Sequence, residues 1–190
     1  MKRCIISTGD EELRRKAKEK RDACASFENQ FQAFSEKLTK LANESGQQSA
    51  GYEFEKWIYD FSAFNDIEVR SPYKDSSGRQ IDGALTIDGD TMLIEAKCTK
   101  DPISAEYIDS FRAKIQTKAD NTLGLMISMA GYNPGAIQAA SEGRTPFVLI
   151  DGGHLFNIVM THRASFKELI SRIKRYAAQT GCPYLPVTDF

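Results

Sequence analysis

The chain has few of the residues that mark a secreted, zinc-stabilised or membrane protein. Its four cysteines lie far apart, with no CxxC pair and no cysteine and histidine at zinc-ligand spacing. We therefore expect reduced thiols and no structural zinc. No apolar run approaches the roughly 20 residues that a membrane-spanning helix needs, and acidic residues directly follow the basic N-terminus. These absences predict a cytoplasmic protein that has no contact with a membrane.

Signatures of several common enzyme classes are missing as well. There is no GxSxG elbow and no Walker A loop, which argues against serine hydrolase and P-loop ATPase designs. The two histidines, His154 and His162, have no matching nucleophile, and we interpret them as turn and surface residues. The formal net charge of −1 gives no sign of nucleic-acid binding. Function therefore has to be inferred from particular residues.

The pattern of apolar residues predicts one α/β domain with an added helix. Residues 11–43 contain no glycine or proline and carry an apolar stripe at three- and four-residue spacing, which is typical of one long helix. Downstream, apolar strands at 123–129 and 147–150 alternate with helices, which indicates a sheet covered on both faces. We expect residues 1–50 to be an amphipathic helical extension and residues 51–190 to be the main domain.

Three phenylalanines in the stripe of the N-terminal helix need a partner surface. They are Phe27, Phe31 and Phe34. One interpretation is that they pack on the domain of the same chain. The other is that they form a homodimer contact, because aromatic anchors contribute strongly to interfaces. The sequence leaves both interpretations open.

Charged residues interrupt a hairpin predicted from residues 80–87 and 91–98. The strand period of two places Glu95 and Lys97 on one face, and antiparallel pairing brings Asp82 beside Glu95. Burying unpaired charges is costly, so these groups either form a salt-bridge network without a catalytic role or face a ligand. Two carboxylates beside an ammonium group suit a hard divalent cation such as Mg²⁺. The chemistry that fits this trio is phosphodiester hydrolysis.

The wider order of motifs resembles a known nuclease superfamily. Three short motifs, each with an acidic residue, follow one another along the chain: Gly51-x-x-Phe54-Glu55 in a predicted helix, then Ile81-Asp82-Gly83 and Ile94-Glu95-Ala96-Lys97 in predicted strands. With the helix, strand, helix and strand that come after them, they resemble the PD-(D/E)xK nucleases and are most similar to the Mrr-like restriction endonucleases. The resemblance implies a restriction-endonuclease-like α/β core, in which helices flank a central mixed sheet.

The same resemblance implies a set of site residues and a function. Asp82, Glu95 and the carbonyl of Ala96 would bind Mg²⁺, with Mn²⁺ as a substitute; Lys97 would be the catalytic lysine and Glu55 an accessory acid. The implied function is a DNA endonuclease of restriction or antiviral defence, with sequence recognition supplied by a separate subunit or a second copy. Two alternatives stay open: a catalytically silent nuclease fold that serves as a DNA-binding or assembly module, and an RNA- or junction-specific nuclease.

Overall fold

The computed structural model describes residues 8–74, 80–81 and 83–190. The strands are β1 (Glu68–Arg70), β2 (Tyr73–Lys74), β3 (Gln80–Ile81), β4 (Ala84–Ile87), β5 (Asp90–Lys97), β6 (Leu123–Ser128) and β7 (Phe147–Asp151). The helices are α1 (Thr8–Asn43), α2 (Gln48–Phe64), α3 (Ala105–Ile115), α4 (Pro134–Ser141), α5 (Gly152–Thr161) and α6 (Phe166–Thr180), followed by a short 3-10 helix (Val187–Asp189).

A mixed five-stranded sheet forms the centre, in the order β1-β4-β5-β6-β7. The pairs β1-β4 and β4-β5 are antiparallel, and β5-β6 and β6-β7 are parallel. The parallel pairs are joined through α3 and α4, as parallel connections require. The predicted fold class, a mixed sheet flanked by helices with a long N-terminal helix, is confirmed.

Alternate residues of each strand enter two different hydrophobic layers. Ile94 and Ile127 pack in the layer that includes α1, α2, α5 and α6. Leu93 and Met126 pack in the opposite layer, against α3 and α4. Because side chains alternate across a strand, Glu95 lies on the α3 side of the sheet. The larger layer therefore carries the main core, and the smaller one faces the charged residues of β5.

The predicted continuous strand at 80–87 is wrong, because its two halves, on either side of Gly83, belong to different sheets. This glycine has a φ of +141°, and a Cβ here would lie 2.7 Å from the carbonyl oxygen of Arg70 and 2.5 Å from the hydroxyl of Tyr59. Glycine alone fits such a position. The strand β4 begins directly after it, whereas Gln80–Ile81 pairs with β2 in a separate small sheet. Asp82 lies outside the described residues.

The second half of α1 belongs to the core of its own chain. Phe31 is 5% exposed, Phe34 is partly buried, and the indole N–H of Trp57 donates to the carbonyl of Phe34 at 3.0 Å. Of the two interpretations, packing on the same chain therefore holds for Phe31 and Phe34, and a dimer contact through these two rings is wrong, since α2 covers both. Phe27 is still 50% exposed. Residues 12–30 are exposed throughout, and we call them the α1 arm.

One further difference concerns α5. The sequence does not predict this helix, whose first two residues are glycines. The predicted boundary at residue 50 stays a prediction, although α1 and α2 pack together on the same sheet face. Within the described ranges, no helix has the length and apolar character needed to cross a membrane.

Candidate active site

Glu95 lies between two lysines on the α3 side of the sheet. One carboxylate oxygen is 2.7 Å from the ammonium of Lys97, two residues along β5. The other is 2.6 Å from the ammonium of Lys114, which reaches over from α3. The Glu95 side chain is only 10% exposed, against 27% for Lys97 and 22% for Lys114. The two pairs are therefore largely shielded from water.

The neighbouring ammonium groups keep Glu95 ionised. Burial by itself raises the pKa of this carboxyl, but the charges and hydrogen bonds of Lys97 and Lys114 outweigh burial and lower the pKa below its ordinary value. Ionised carboxylates accept through both oxygens, at roughly four lone-pair positions in all. Each oxygen of Glu95 thus retains capacity for another cation.

The carbonyl of Ala96 points away from β6. The neighbouring carbonyl of Lys97 accepts from the N–H of Met129 at 2.9 Å, on the β6 side of the strand. The N–H of Ile94 donates in the opposite direction, to the carbonyl of Gly83 at 2.9 Å. Since backbone directions alternate along a strand, the Ala96 carbonyl lies on the same side as the Ile94 N–H. It therefore points to the edge where β5 extends past the first residue of β4.

A cavity of about 360 Å³ opens at this end of β5. Its walls include Tyr52 and Glu55 from α2 and Ala96, Lys97 and Thr99 from β5 and the loop after it. Glu55 is partly buried, one residue after the core residue Phe54 of α2. The structure thus brings Glu55, Ala96 and Lys97 to one cavity and joins Glu95 to it through Lys97. Asp82, the remaining predicted residue, cannot be placed because it lies outside the described residues.

Sequence reasoning missed the position of Lys114. Lys114 and Arg112 both lie in the last turn of α3 and are not among the predicted site residues. Arg112 donates to the carbonyl of Ala139 at 2.5 Å and lies over the ring of Phe147, so it joins α3 to its neighbours. The signal for Lys114 was its spacing of three residues from the buried Phe111, which places both on adjoining parts of one helix face.

A second polar cluster lies at the end of β7. Asp151 caps α5: its carboxylate accepts the N–H of His154 at 2.9 Å and the hydroxyl of Tyr184 at 2.5 Å. Burial raises the pKa of Asp151, but these hydrogen bonds lower it to about 2. His154 is fully buried, with its ring 3.2 Å from the Asp151 N–H and 2.7 Å from the Leu185 carbonyl. The prediction of a turn histidine is wrong here, because His154 lies inside a capped helix.

His162 is exposed, as predicted. It ends α5 in the left-handed conformation, with a φ of 54°, and its ring lies 4.3 Å from that of Phe31. The imidazole therefore packs against α1, at the end of α5 opposite to Gly152. Neither histidine lines the cavity beside Lys97.

Comparison with known proteins gives one family match and two structural matches. Residues 47–159, more than half of the chain, match the family model Mrr_cat, described as restriction endonuclease. The match begins just before α2 and ends within α5, and it therefore contains Glu55, Asp82, Glu95 and Lys97. A search of the curated proteins found no match.

The two solved structures are restriction endonucleases of greater length. One is the DNA modification-dependent restriction endonuclease AspBHI, with 13% identity and a TM-score of 0.48, covering 79% of this chain and 40% of that one. The other is the MspJI restriction endonuclease in complex with a 27-mer oligonucleotide, with 14% identity and a TM-score of 0.39, covering 81% of this chain and 36% of that one. The present chain thus spans two fifths or less of either protein.

Proposed function

The chain belongs to the Mrr_cat restriction endonuclease family, and on that premise we propose that it is a metal-dependent endonuclease that hydrolyses phosphodiester bonds in DNA. The observation that carries the proposal is the arrangement at the end of β5. Lys97 and the acid Glu55 of α2 line one cavity, next to the point where β4 and β5 separate. The ionised carboxylate of Glu95 contacts the Lys97 ammonium at 2.7 Å. The family match contains all four proposed catalytic side chains.

The donor groups at this site suit Mg²⁺, with Mn²⁺ as a substitute. They are oxygens: the carboxylate of Glu95, the carbonyl of Ala96 and, by the family resemblance, the carboxylates of Asp82 and Glu55. Hard divalent cations prefer such ligands, and the depressed pKa of Glu95 keeps its carboxylate in the form that binds them. When bound, the metal would polarise the phosphate and lower the pKa of a water molecule.

The side chains of the protein would have the remaining catalytic roles. Lys97 lines the cavity and is the group that would orient the attacking water or neutralise charge that grows on the phosphate. Glu95 fixes the position of the Lys97 ammonium through their 2.7 Å contact. Glu55 faces the same cavity from α2 and would act as an accessory acid, directly or through water.

The biological setting is a further part of the proposal. We propose that the enzyme acts in the cytoplasm, in restriction or antiviral defence; the family description, restriction endonuclease, supports the restriction role. Recognition of the DNA sequence would come from a separate subunit or from a second copy. In the described part of the chain, the helices other than the α1 arm all pack on the nuclease sheet, and this arrangement supports the assignment of recognition to a partner.

The silent nuclease fold is the second candidate, and one observation favours it. Both oxygens of Glu95 are already paired with lysines, as they would be in a purely structural salt-bridge network. Against it stand the open cavity beside Lys97 and the exposure of that side chain, which give a substrate access to the charged group. An RNA- or junction-specific nuclease would use the same groups and differs only in substrate.

Cleavage assays separate these candidates. Supercoiled plasmid, RNA and a four-way junction are incubated with the protein in Mg²⁺ or in EDTA. We expect Mg²⁺-dependent cleavage of plasmid, and its loss by about a hundredfold or more in Asp82→Asn, Glu95→Gln and Lys97→Ala. Lys18→Ala, on the exposed α1 arm, is the matched control that removes a charge elsewhere. Undiminished cleavage by all three site variants would falsify the assignment, and cleavage of RNA or junctions alone would change the substrate.

The α1 arm is the part of the chain for which we propose a homodimer contact. Its apolar positions are exposed, including Leu13 at 67% and Phe27 at 50%, and most helical stability in proteins comes from the packing of an apolar face. Phe27 stacks on Phe64 at the last residue of α2, whereas the first turn of α2 borders the cavity. The arm therefore leaves the domain at the end opposite to the cavity. Two arms can pair while both cavities stay open to DNA.

Light scattering tests this contact. We expect the intact protein to be a dimer at tens of micromolar concentration, and the double variant Leu13→Ser, Phe27→Ser to be a folded monomer. A variant with Ser at Arg14 and Lys18, on another face of the arm, is the control. An intact protein that is monomeric at that concentration contradicts the proposal.

A further inference from the structure

Lys114 is the part of the site that the proposed catalytic roles do not use. Its ammonium lies 2.6 Å from Glu95, on the carboxylate oxygen that Lys97 does not contact. An ammonium group has three N–H donors, and one of them is directed at Glu95. The side chain is 22% exposed, so its remaining donors are within reach of a ligand in solvent. In the described residues, one carboxylate is thus contacted by two cationic groups.

This arrangement opposes the binding of a divalent cation at Glu95. A metal ion at the carboxylate would lie close to two ammonium groups in a poorly solvated place, where like charges repel more strongly than in water. Lys97 shares a face of β5 with Glu95 and lines the cavity, so its ammonium has its proposed role beside the carboxylate. Lys114 reaches the carboxylate from a different element, α3, and its flexible four-carbon stem can swing away without any change in β5. Lys114 is therefore the cation that we expect to leave.

We propose that Lys114 is a phosphate-binding residue of the active site, which neutralises Glu95 in the free protein and transfers to a DNA phosphate when substrate binds. The inference rests on the proposed nuclease function and adds a partner for Lys114 to it. A phosphate oxygen is a strong acceptor for an ammonium group, so DNA supplies the replacement for Glu95. Departure of Lys114 exposes the carboxylate to the metal. DNA and metal consequently strengthen each other's binding, and linkage requires the effect to be reciprocal.

A merely structural ion pair makes different predictions. If Lys114 only joins α3 to the sheet, its removal leaves the metal site unaltered or disordered, and metal binding stays the same or weakens. If Lys114 competes with the metal, its removal makes metal binding tighter in the absence of DNA. The competing role therefore predicts a higher metal affinity after removal of Lys114, and the structural role predicts an unchanged or lower one. Metal affinity can be measured without any cleavage.

Two binding measurements on the full chain test the proposal. Calorimetry gives the affinity for Mn²⁺ without DNA, and fluorescence anisotropy gives the affinity for a labelled duplex of about 30 base pairs in saturating Ca²⁺. For Lys114→Met we expect Mn²⁺ to bind at least about fivefold tighter and the duplex at least about fivefold more weakly than for the wild type. Lys18→Met, which removes the same charge from the exposed α1 arm, should change neither affinity by more than about twofold.

Each outcome decides between the roles. The proposed role of Lys114 is overturned if Lys114→Met binds Mn²⁺ no more tightly than the wild type, or binds the duplex equally well. Cleavage of plasmid by the wild type upholds the nuclease function in that case. Lys114→Gln, which retains a polar end, is measured in the same way should the methionine variant fail to fold. A wild-type protein that binds neither Mn²⁺ nor duplex and does not cleave plasmid overturns the proposed function as well.

Discussion

The polar cluster around Asp151 gives a quantitative prediction about stability. The pKa of Asp151 is lowered from 3.8 to about 2, despite burial, by hydrogen bonds from His154 and Tyr184. A shift of nearly two pKa units corresponds to about 2 kcal/mol of stabilisation by the ionised form at neutral pH. Asp151→Asn keeps an oxygen that can cap α5 but removes the charge. We therefore expect the free energy of unfolding at pH 7 to fall by about 2 kcal/mol.

The pH dependence follows from the direction of the shift. Because the pKa is lower in the folded protein than in the unfolded chain, the stabilisation is complete well above pH 4 and is lost as the pH falls towards 2. About half of it should remain at pH 3. Urea denaturation at pH 7, 5 and 3 gives the difference between wild type and Asp151→Asn. An exposed carboxylate of the α1 arm, changed in Asp22→Asn, serves as the control.

Two results would refute this reasoning. A difference between wild type and Asp151→Asn that is the same at pH 7 and pH 3 would mean that the charge of Asp151 does not stabilise the fold. Loss of cleavage in a folded Asp151→Asn protein would mean that the cluster belongs to the active site. We expect cleavage per folded molecule to be unchanged, because Asp151 and His154 do not line the cavity beside Lys97.

Two other substitutions test the geometry of the site. Gly83→Ala should lower the free energy of unfolding by about 2 kcal/mol or more and reduce cleavage, because the added Cβ would collide with the Arg70 backbone and with Tyr59. Chemical denaturation measures the first effect and the plasmid assay the second. Glu55→Gln should reduce cleavage less than Lys97→Ala, because an accessory acid that acts through water is more easily replaced; equal losses in the two variants would give Glu55 a direct role.

The residues that share a face of β5 could be predicted from the sequence, because side chains alternate between the two faces of any strand. Charged residues at 95 and 97 within an apolar strand lie on one face whatever surrounds them, and the structure places the two in contact. The contact with Lys114 depends instead on how α3 packs across the sheet, and no local pattern determines that. The contact between Arg112 and the Ala139 carbonyl is not predictable from the sequence for the same reason, because it joins two helices.

The errors at Gly83 and α5 have a different cause. The predicted strand at 80–87 runs through Gly83, and the turn predicted at His154 follows Gly152 and Gly153; at all three glycines the local conformational preference is weak. At Gly83 the close approach of Arg70 and Tyr59 decides the conformation, and at Gly152 a Cβ would lie 2.5 Å from the Met129 carbonyl oxygen. Both glycines are thus required by contacts with distant parts of the chain. The cap from Asp151, visible only in three dimensions, then starts the helix.

The most direct test of the central claim is a crystal structure of the protein soaked in Mn²⁺, with the metal located by its anomalous scattering. The proposed function predicts Mn²⁺ at the cavity beside Lys97, with Asp82, Glu95 and the Ala96 carbonyl among its ligands. A site that takes up no metal at saturating Mn²⁺, with Glu95 still held by both lysines, would contradict the claim and leave the silent nuclease fold as the better account.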